Sequence, residues 1–305
     1  MTLRLAHIVN PYVTGNVDEA RIQQLTLSCM RRAKAETKNA SVQLLSAQFP
    51  EDHNAVPEDF TKCADLSRSL LDLVPGAKKL PLLQDILASL KNIDADYFVY
   101  TNMDIAPMPY FYSAVAQLIE NEKHDALIIN RRRLRAELLQ ANPELLFAEA
   151  GLPHPGYDCF VFKRSLLEKF DFGNAAIGVP GIGFLFAHNL FLVADSCKVY
   201  SEKHLTFHLG LEIIRPWAAA NVVAFQHREI KAFLQRHKAE FRIEKFPGYH
   251  LPFFRRQFTW LMNPLFHYPT MLRLDFPKWF DGRKTIRPVK GESRWQEWKV
   301  RRFSV

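Results

Sequence analysis

Apolar, β-prone segments alternate with helix-forming segments over the first 130 residues, and no other feature of the sequence restricts the fold as strongly. A strand–helix–strand order favours an α/β sheet whose strands run mostly parallel and whose faces are covered by helices. The predicted strands are 3–9, 42–49, 97–100 and 125–134, and the predicted helices are 18–37, 80–92 and 109–123. Later segments predict a strand entering a short helix (157–170), a buried helix (181–195) and short strands (198–210). We therefore expect a mostly parallel central sheet flanked by helices.

The composition indicates a folded chain, because 48% of the residues are hydrophobic and 24% are charged. The four cysteines form no CxxC pair and have no zinc-finger spacing, which favours a reducing compartment and predicts a cytoplasmic protein. The apolar patches of the N-terminal segment MTLRLAHIVNPY are too short for a signal-peptide core. No apolar run reaches the roughly 18 residues needed for a membrane-spanning helix, so none is expected.

Positive charge and aromatic residues are concentrated in the last eighty residues. The segment 226–305 has 18 lysines and arginines against 7 acidic residues, a net charge of +11, and sixteen aromatic residues. Because the whole chain carries +8, residues 1–225 carry 8 − 11 = −3. Prolines also interrupt any long helix in the basic segment. We expect an α/β domain over 1–225 and a basic, aromatic-rich C-terminal subdomain or arm over 226–305.

Three interpretations of this arm are open. It could lie on an anionic membrane surface, such as the inner face of a membrane, with aromatic rings at the interface and cations toward the headgroups. It could bind nucleic acid, because aromatic rings stack on bases while arginines contact phosphates, although no RRM or KH signature is present. It could also be a folded arm that packs on the rest of the chain.

The segment YFVYTNMD, residues 97–104, changes from apolar to polar where its strand ends. Ligands of open α/β sheets bind at the carboxyl ends of the strands. In an extended segment, alternate side chains point the same way, so the Asn102 amide oxygen and the Asp104 carboxylate could face one ligand. Oxygen ligands of this kind suit Mg²⁺ or Mn²⁺ bound to substrate phosphates. The alternative is an Asx turn that merely ends the strand.

The longer segment DADYFVYTNMDIAPMPYFY, residues 94–112, resembles the core of the GT-A glycosyltransferases. In that family an apolar strand ends in a D-x-D motif, which holds a divalent cation on the diphosphate of a nucleotide-sugar. The corresponding residues here are Asn102, Met103 and Asp104, a variant of the motif. The resemblance covers about residues 3–210. It implies a GT-A-like, Rossmann-like fold, Mn²⁺ or Mg²⁺, and transfer of a sugar from a nucleotide-sugar to a glycan, lipid-linked or other acceptor.

The same resemblance implies roles for residues elsewhere in the chain. His208, in HLTFHLG, would be a metal ligand beside Asp104 and Asn102, although a histidine without a ligand role is its alternative. Asp158, in HPGYDCFVFKR, would accept the proton of the acceptor hydroxyl, or else orient its loop by accepting backbone N–H groups. The candidates for donor binding are Asn10, Tyr12, Lys79, Asp85, Asn102 and Arg131.

Other enzyme classes that use related folds lack their motifs here. The segment after the first strand, NPYVTGNVDEAR, has one glycine, whereas a nucleotidyltransferase would have a glycine-rich phosphate loop there. A Rossmann dehydrogenase would need G-x-G-x-x-G at the same point, and that motif is absent. The P-loop and the G-x-S-x-G motif of α/β-hydrolases are absent as well. A glycosyltransferase is therefore the leading hypothesis, and nucleic-acid binding through the basic arm is the alternative.

Overall fold

The computed structural model describes residues 2–140, 143–154, 156–210, 218–263 and 266–280. The chain divides into two compact units, residues 1–241 and 242–305. The strands described in the first unit are β1 (Leu3–Val9), β2 (Ala40–Ser46), β3 (Thr61–Lys62), β4 (Tyr97–Thr101), β5 (Ala106–Pro107), β6 (Ala126–Ile129), β7 (Arg132–Leu134), β8 (Leu152–Pro153), β9 (Cys159–Lys163), β10 (Cys197–Tyr200) and β11 (Thr206–Leu209). Its helices are α1 (Val17–Glu36), α2 (Leu83–Ala88), α3 (Phe111–Glu122), α4 (Pro143–Ala148), α5 (Ile182–Val193) and α6 (Ala220–Arg236).

The central sheet has seven strands in the order β10-β6-β9-β4-β1-β2-β3. Its neighbours are parallel except at β9, which runs antiparallel to both β4 and β6. Every residue of β4 and β6 is buried, as expected for central strands that are covered on both faces. The prediction of a mostly parallel sheet flanked by helices is confirmed.

A second sheet of four strands, β5-β11-β7-β8, lies in the same unit. Strand β11 pairs with β5 on one side and with β7 on the other, so that His208 lies opposite Arg133. Residues 125–134, predicted as one strand, form the two strands β6 and β7, with Asn130 and Arg131 between them. The small sheet thereby brings β11 beside the segments that follow β4 and β6.

Helix α6 is bound into the first unit along its length. The Gln226 side chain is buried, accepts a hydrogen bond from the Ala176 N–H at 3.1 Å and donates one to the Ala176 carbonyl at 3.3 Å. Near the end of the helix, Arg236 Nε donates to Asp171 at 2.9 Å. The predicted boundary after residue 225 falls inside this helix, and the two compact units divide beyond its end.

The second unit contains the helices α7 (Phe253–Met262) and α8 (Tyr268–Phe280). A buried ion pair joins them, because Arg256 contacts Asp275 through two N–O distances of 2.7 Å. Gln257 also donates to this carboxylate at 2.6 Å, and Trp260 donates its indole N–H to the Pro247 carbonyl at 2.8 Å. In the described residues of both units, no helix is long and apolar enough to cross a membrane.

Candidate functional site

Two strands, β4 and β6, end at one edge of the central sheet, and β9 begins there. Because β9 is antiparallel to β4 and β6, its first residue pairs with the last residues of both: Cys159 lies opposite Thr101 and Ile129. Residues just beyond these pairs, including Asn102 and Asp158, therefore lie at the carboxyl edge of the sheet. This is the edge at which α/β sheets bind ligands.

The residues after β4 form a turn. The Ile105 N–H donates to the Asn102 carbonyl at 3.1 Å, so 102–105 is not extended and the expected alternation of side chains does not apply. The Asn102 amide oxygen accepts a hydrogen bond from the buried Tyr100 hydroxyl at 3.0 Å. An amide oxygen has two lone pairs, so this contact holds the Asn102 side chain and leaves one acceptor site.

Asp104, on the turn after β4, contacts His208 of β11. Its Oδ2 lies 3.2 Å from His208 Nε2, and the carboxylate is 46% exposed whereas the imidazole is 10% exposed. The other ring nitrogen, Nδ1, lies 3.4 Å from the Gly210 carbonyl. Burial acts to raise the pKa of Asp104, but the hydrogen bond from His208 and the charges of His208 and Arg131 hold it below its ordinary value. The carboxylate is therefore ionised at neutral pH.

The Asp104–His208 pair fits a divalent cation that has further ligands. Octahedral coordination at ~2.1 Å places neighbouring ligand atoms about 3.0 Å apart, close to the 3.2 Å measured between Asp104 Oδ2 and His208 Nε2. Within the described residues, no three His, Cys, Asp or Glu side chains form a group that could hold a metal. Mg²⁺ commonly takes one or two carboxylates and completes its shell with water and substrate phosphates. The pair thus suits a cation that binds together with a diphosphate.

Asp158 lies in the same cluster and is paired with Arg131. Arg131 Nη1 donates to Asp158 Oδ1, while His154 Nε2 lies 3.7 Å from Oδ2, too far for a hydrogen bond. Burial raises the pKa of Asp158 to about 6; the Arg131 charge opposes this effect and the Asp104 charge adds to it. A carboxylate with this pKa is mostly ionised at neutral pH and takes up a proton readily.

Four buried polar atoms around Asp158 have no hydrogen-bond partner among the described residues. They are Asn130 Oδ1, Arg131 Nε, His154 Nδ1 and Asp158 Oδ2. Buried polar atoms in native proteins are nearly always satisfied by protein or by ordered water. Four unsatisfied atoms in one place therefore indicate a position where a polar ligand or bound water completes the structure.

The imidazole of His154 is neutral in this cluster, because burial, together with the charges of Arg131 and Arg133, lowers its pKa to about 3. The Asn130 amide donates to the His154 carbonyl at 3.2 Å, which ties the residue to the end of β6. A neutral imidazole does not neutralise the Asp158 carboxylate, so Arg131 is the cation that pairs with it.

The three consecutive arginines that follow β6 do different things. Arg132 donates to the Ala150 and Gly151 carbonyls at 2.8 Å, and Arg133 donates to the Pro153 carbonyl at 3.0 Å. Both therefore hold the backbone of the loop that leads to Asp158. Arg131 is the member of the run that contacts the Asp158 carboxylate.

Asn10 and Tyr12 follow β1, a neighbour of β4 in the sheet. The Asn10 amide is buried and donates to the Ala47 carbonyl at 2.5 Å, which gives it a structural partner. Burial raises the pKa of Tyr12 to about 12, and the charges of Glu19 and then Asp104 contribute. Tyr12 thus lies within electrostatic range of Asp104, and its side chain is partly exposed.

Lys79 and Asp85 have local partners instead. Lys79 forms an ion pair with Glu51 and lies over the Phe49 ring, 4.4 Å from its centre. Asp85 Oδ2 accepts from Arg68 Nε at 3.0 Å. In the described part of the chain, no hydrogen bond or ion pair joins Lys79 or Asp85 to the Asp104–Asp158 cluster.

Asn130 and the pairing of Arg131 with Asp158 are features of the site that the sequence does not predict. The signal for Asn130 was present, because a polar residue directly follows the buried strand ALII just as Asn102 follows the buried end of YFVYT. The residues next to Arg131 and Asp158 in the sequence do not indicate that these two side chains pair. The pairing depends on the reversed direction of β9, which spacing along the sequence does not reveal.

No protein-family profile matches the sequence, and no curated protein matches it. Solved structures with a similar fold include S. aureus TarS 1-349 in complex with UDP-GlcNAc, at 13% identity and a TM-score of 0.48, covering 90% of this chain and 81% of that chain. Glucosyl-3-phosphoglycerate synthase from Mycobacterium tuberculosis, in complex with Mn²⁺, UDP and glucosyl-3-phosphoglycerate, aligns at 15% identity and a TM-score of 0.45, covering 76% and 80%. With identities of 13% and 15%, these comparisons concern the fold and give no information about the reaction.

Proposed function

We propose that this protein is a glycosyltransferase that uses a nucleotide-sugar donor and a divalent cation, Mn²⁺ or Mg²⁺. The observation that carries the proposal is that Asp104 and Asp158, at the carboxyl edge of the central sheet, lie close to His208 of β11. The sequence resemblance to GT-A enzymes supports the same reaction, since it rests on the segment that contains Asp104. Four polar atoms around Asp158 that lack a partner among the described residues add hydrogen-bonding capacity for an acceptor hydroxyl.

The donor side of the proposed site consists of the Asp104–His208 pair and the residues after β1. Asp104 and His208 would hold the cation, which when bound would offset the negative charge of the departing diphosphate. Asn102 keeps one free acceptor site on its amide oxygen and lies on the same turn. Tyr12 is exposed enough to contact the nucleoside, while Asn10 shapes the loop beneath it.

The acceptor side centres on Asp158. Arg131 binds Oδ1 and orients the carboxylate, which leaves Oδ2 to accept the proton of an acceptor hydroxyl during attack on the anomeric carbon. A pKa of about 6 suits a general base that works near neutral pH. The acceptor would be a carbohydrate or a lipid-linked hydroxyl compound. We assign no donor contact to Lys79 and Asp85, because both are engaged in local ion pairs.

The test is donor binding followed by transfer. UDP-, GDP- and CMP-sugars are titrated calorimetrically into the full-length protein with Mn²⁺, with Mg²⁺ and with EDTA. We expect one nucleotide class to bind in the presence of metal and to lose affinity in EDTA. Binding of no nucleotide-sugar under any of these conditions would contradict the proposal. Equal affinity with metal and with EDTA would contradict the metal-dependent form of it.

A further inference from the structure

Helix α7 is apolar on two different faces. Phe253 and Trp260 are buried in the second unit, together with the polar residues Arg256 and Gln257. At 3.6 residues per turn, a second set of apolar residues falls on a separate arc of about 100°. This set, the α7 stripe, consists of Phe254, Phe258, Leu261 and Met262, which are 75%, 64%, 55% and 65% exposed.

One apolar face is enough for a helix that packs only on its own unit. The α7 stripe is a second apolar face on the same helix, and its side chains are large. Leu272 and Phe276 of α8 add 36% and 44% exposed apolar side chains to the surface of the same unit. The α7 stripe is an exposed apolar patch along one side of a helix, and exposed patches of large apolar side chains mark interaction surfaces.

The charge of the second unit determines which partner fits the stripe. Residues 242–305 have 14 lysines and arginines against 5 acidic residues, a net charge of 14 − 5 = +9. Helix α7 itself has no acidic residue. In this helix, Arg256 is neutralised by Asp275. Arg255 is exposed beside the stripe and is therefore the cation of α7 that faces solvent. The surface therefore combines apolar side chains with unneutralised positive charge.

We propose that the α7 stripe docks the protein onto an anionic lipid surface, with Phe258 and Leu261 entering the boundary between headgroups and acyl chains. Amphipathic helices bind membranes through buried apolar area and through attraction of basic residues to anionic lipids. The last 25 residues, 281–305, carry 8 basic against 3 acidic side chains, so charge repulsion disfavours that segment as the occupant. Leu261 and Met262 have no aromatic face for stacking on bases, which disfavours single-stranded nucleic acid. This inference does not depend on the proposed reaction.

The experiment is flotation of the full-length protein with vesicles of phosphatidylcholine, with and without phosphatidylserine. We expect binding to the phosphatidylserine vesicles that falls with added salt but does not vanish, because salt screens the charges and not the apolar contact. The double substitution Phe258→Gln and Leu261→Gln should weaken this binding at least about tenfold. Arg255→Gln should weaken it about fivefold and flatten its salt dependence.

The matched control is Leu145→Gln on α4, since Leu145 is 60% exposed and lies in the first unit. It should leave vesicle binding unchanged. Because Phe258 and Leu261 face solvent, the double variant should keep the melting temperature of the wild type; if it does not, Arg255→Gln decides the question alone. Wild-type binding by all variants, or no binding by the wild type, would overturn the proposal. So would a wild-type dimer that the double substitution dissociates, or tighter binding to single-stranded RNA than to the vesicles at equal salt.

Discussion

Arg131 and Asp158 form an ion pair that engages one oxygen of the carboxylate and leaves the other, Oδ2, without a partner among the described residues. The pair is positioned by the central sheet. Arg131 follows β6, Asp158 directly precedes β9, and the two strands are in register at Ile129 and Cys159. The free oxygen is thus held in a defined direction, as a general base requires.

Replacing Asp158 by asparagine should lower kcat and leave donor affinity almost unchanged. The substitution keeps the shape of the side chain but removes the carboxylate that we propose as the acceptor of the hydroxyl proton. General bases contribute about 10²–10⁴-fold, and we expect a loss in that range. Steady-state kinetics and calorimetry of donor binding measure the two quantities separately. Weakened donor binding with an unchanged kcat would assign Asp158 to binding instead.

The activity of the wild type should depend on the ionisation of Asp158. Because burial raises the pKa of this carboxyl to about 6, kcat/KM should rise with pH through that value and level off above it. A pH profile between acidic and neutral conditions, at saturating metal, provides the measurement. An activity that is flat across this range would show that Asp158 does not act as the base.

Removing either side chain of the proposed metal pair should impair donor binding. Asp104→Ala should abolish Mn²⁺-dependent binding of the nucleotide-sugar, whereas His208→Ala should weaken it, since a carboxylate is the stronger ligand of a hard cation. Calorimetry with Mn²⁺ gives the affinities, and circular dichroism checks the fold. Asp94→Ala removes a surface carboxylate that is 78% exposed and serves as the control. Retained metal-dependent binding by Asp104→Ala would disprove the site.

The buried ion pair of the second unit should be far more sensitive than a surface pair. Asp275→Ala leaves the Arg256 guanidinium, which is 2% exposed, without its carboxylate and should cost about 3–5 kcal/mol. Asp59→Ala breaks an exposed pair with Arg31 and should cost less than about 1 kcal/mol. Denaturant unfolding followed by circular dichroism reports on both units, and the fluorescence of Trp260, which is buried, reports on the second unit. Equal effects of the two substitutions would contradict the difference in burial.

Strand and helix positions in the first half of the chain followed from hydrophobic periodicity. Strand β1 occupies the predicted 3–9, and helix α1 runs from Val17 to Glu36 where 18–37 was predicted. Predicted helix 80–92 is shorter in the structure, Leu83–Ala88, because 3₁₀-like turns replace its last part. Periodicity reports which face is buried, and it is less informative about where hydrogen bonding stops.

The site was harder to predict because it depends on contacts between distant segments. The turn at 102–105 and the hydrogen bond from Tyr100 to Asn102 are local, yet an apolar strand followed by polar residues is compatible with extended or turned backbone. The direction of β9 depends on its partners β4 and β6. Asp104 and His208 were both named from the sequence, and their contact at 3.2 Å required the small sheet to bring β11 beside the turn.

Because β9 runs antiparallel to β4 and β6, the strand that follows Asp158 fixes the position of this residue at the edge of the sheet. Asp158 is attached to the sheet on its C-terminal side, through Cys159 and the ladders to β4 and β6. The segment between β7 and Asp158 is held separately, through the contacts of Arg132 and Arg133 with residues 150–153. Residues ahead of these contacts can therefore change while the Asp158 carboxylate keeps its place. A library that varies the residues between β7 and these contacts should alter which acceptors are used. It should preserve the position of the Asp158 carboxylate beside Arg131.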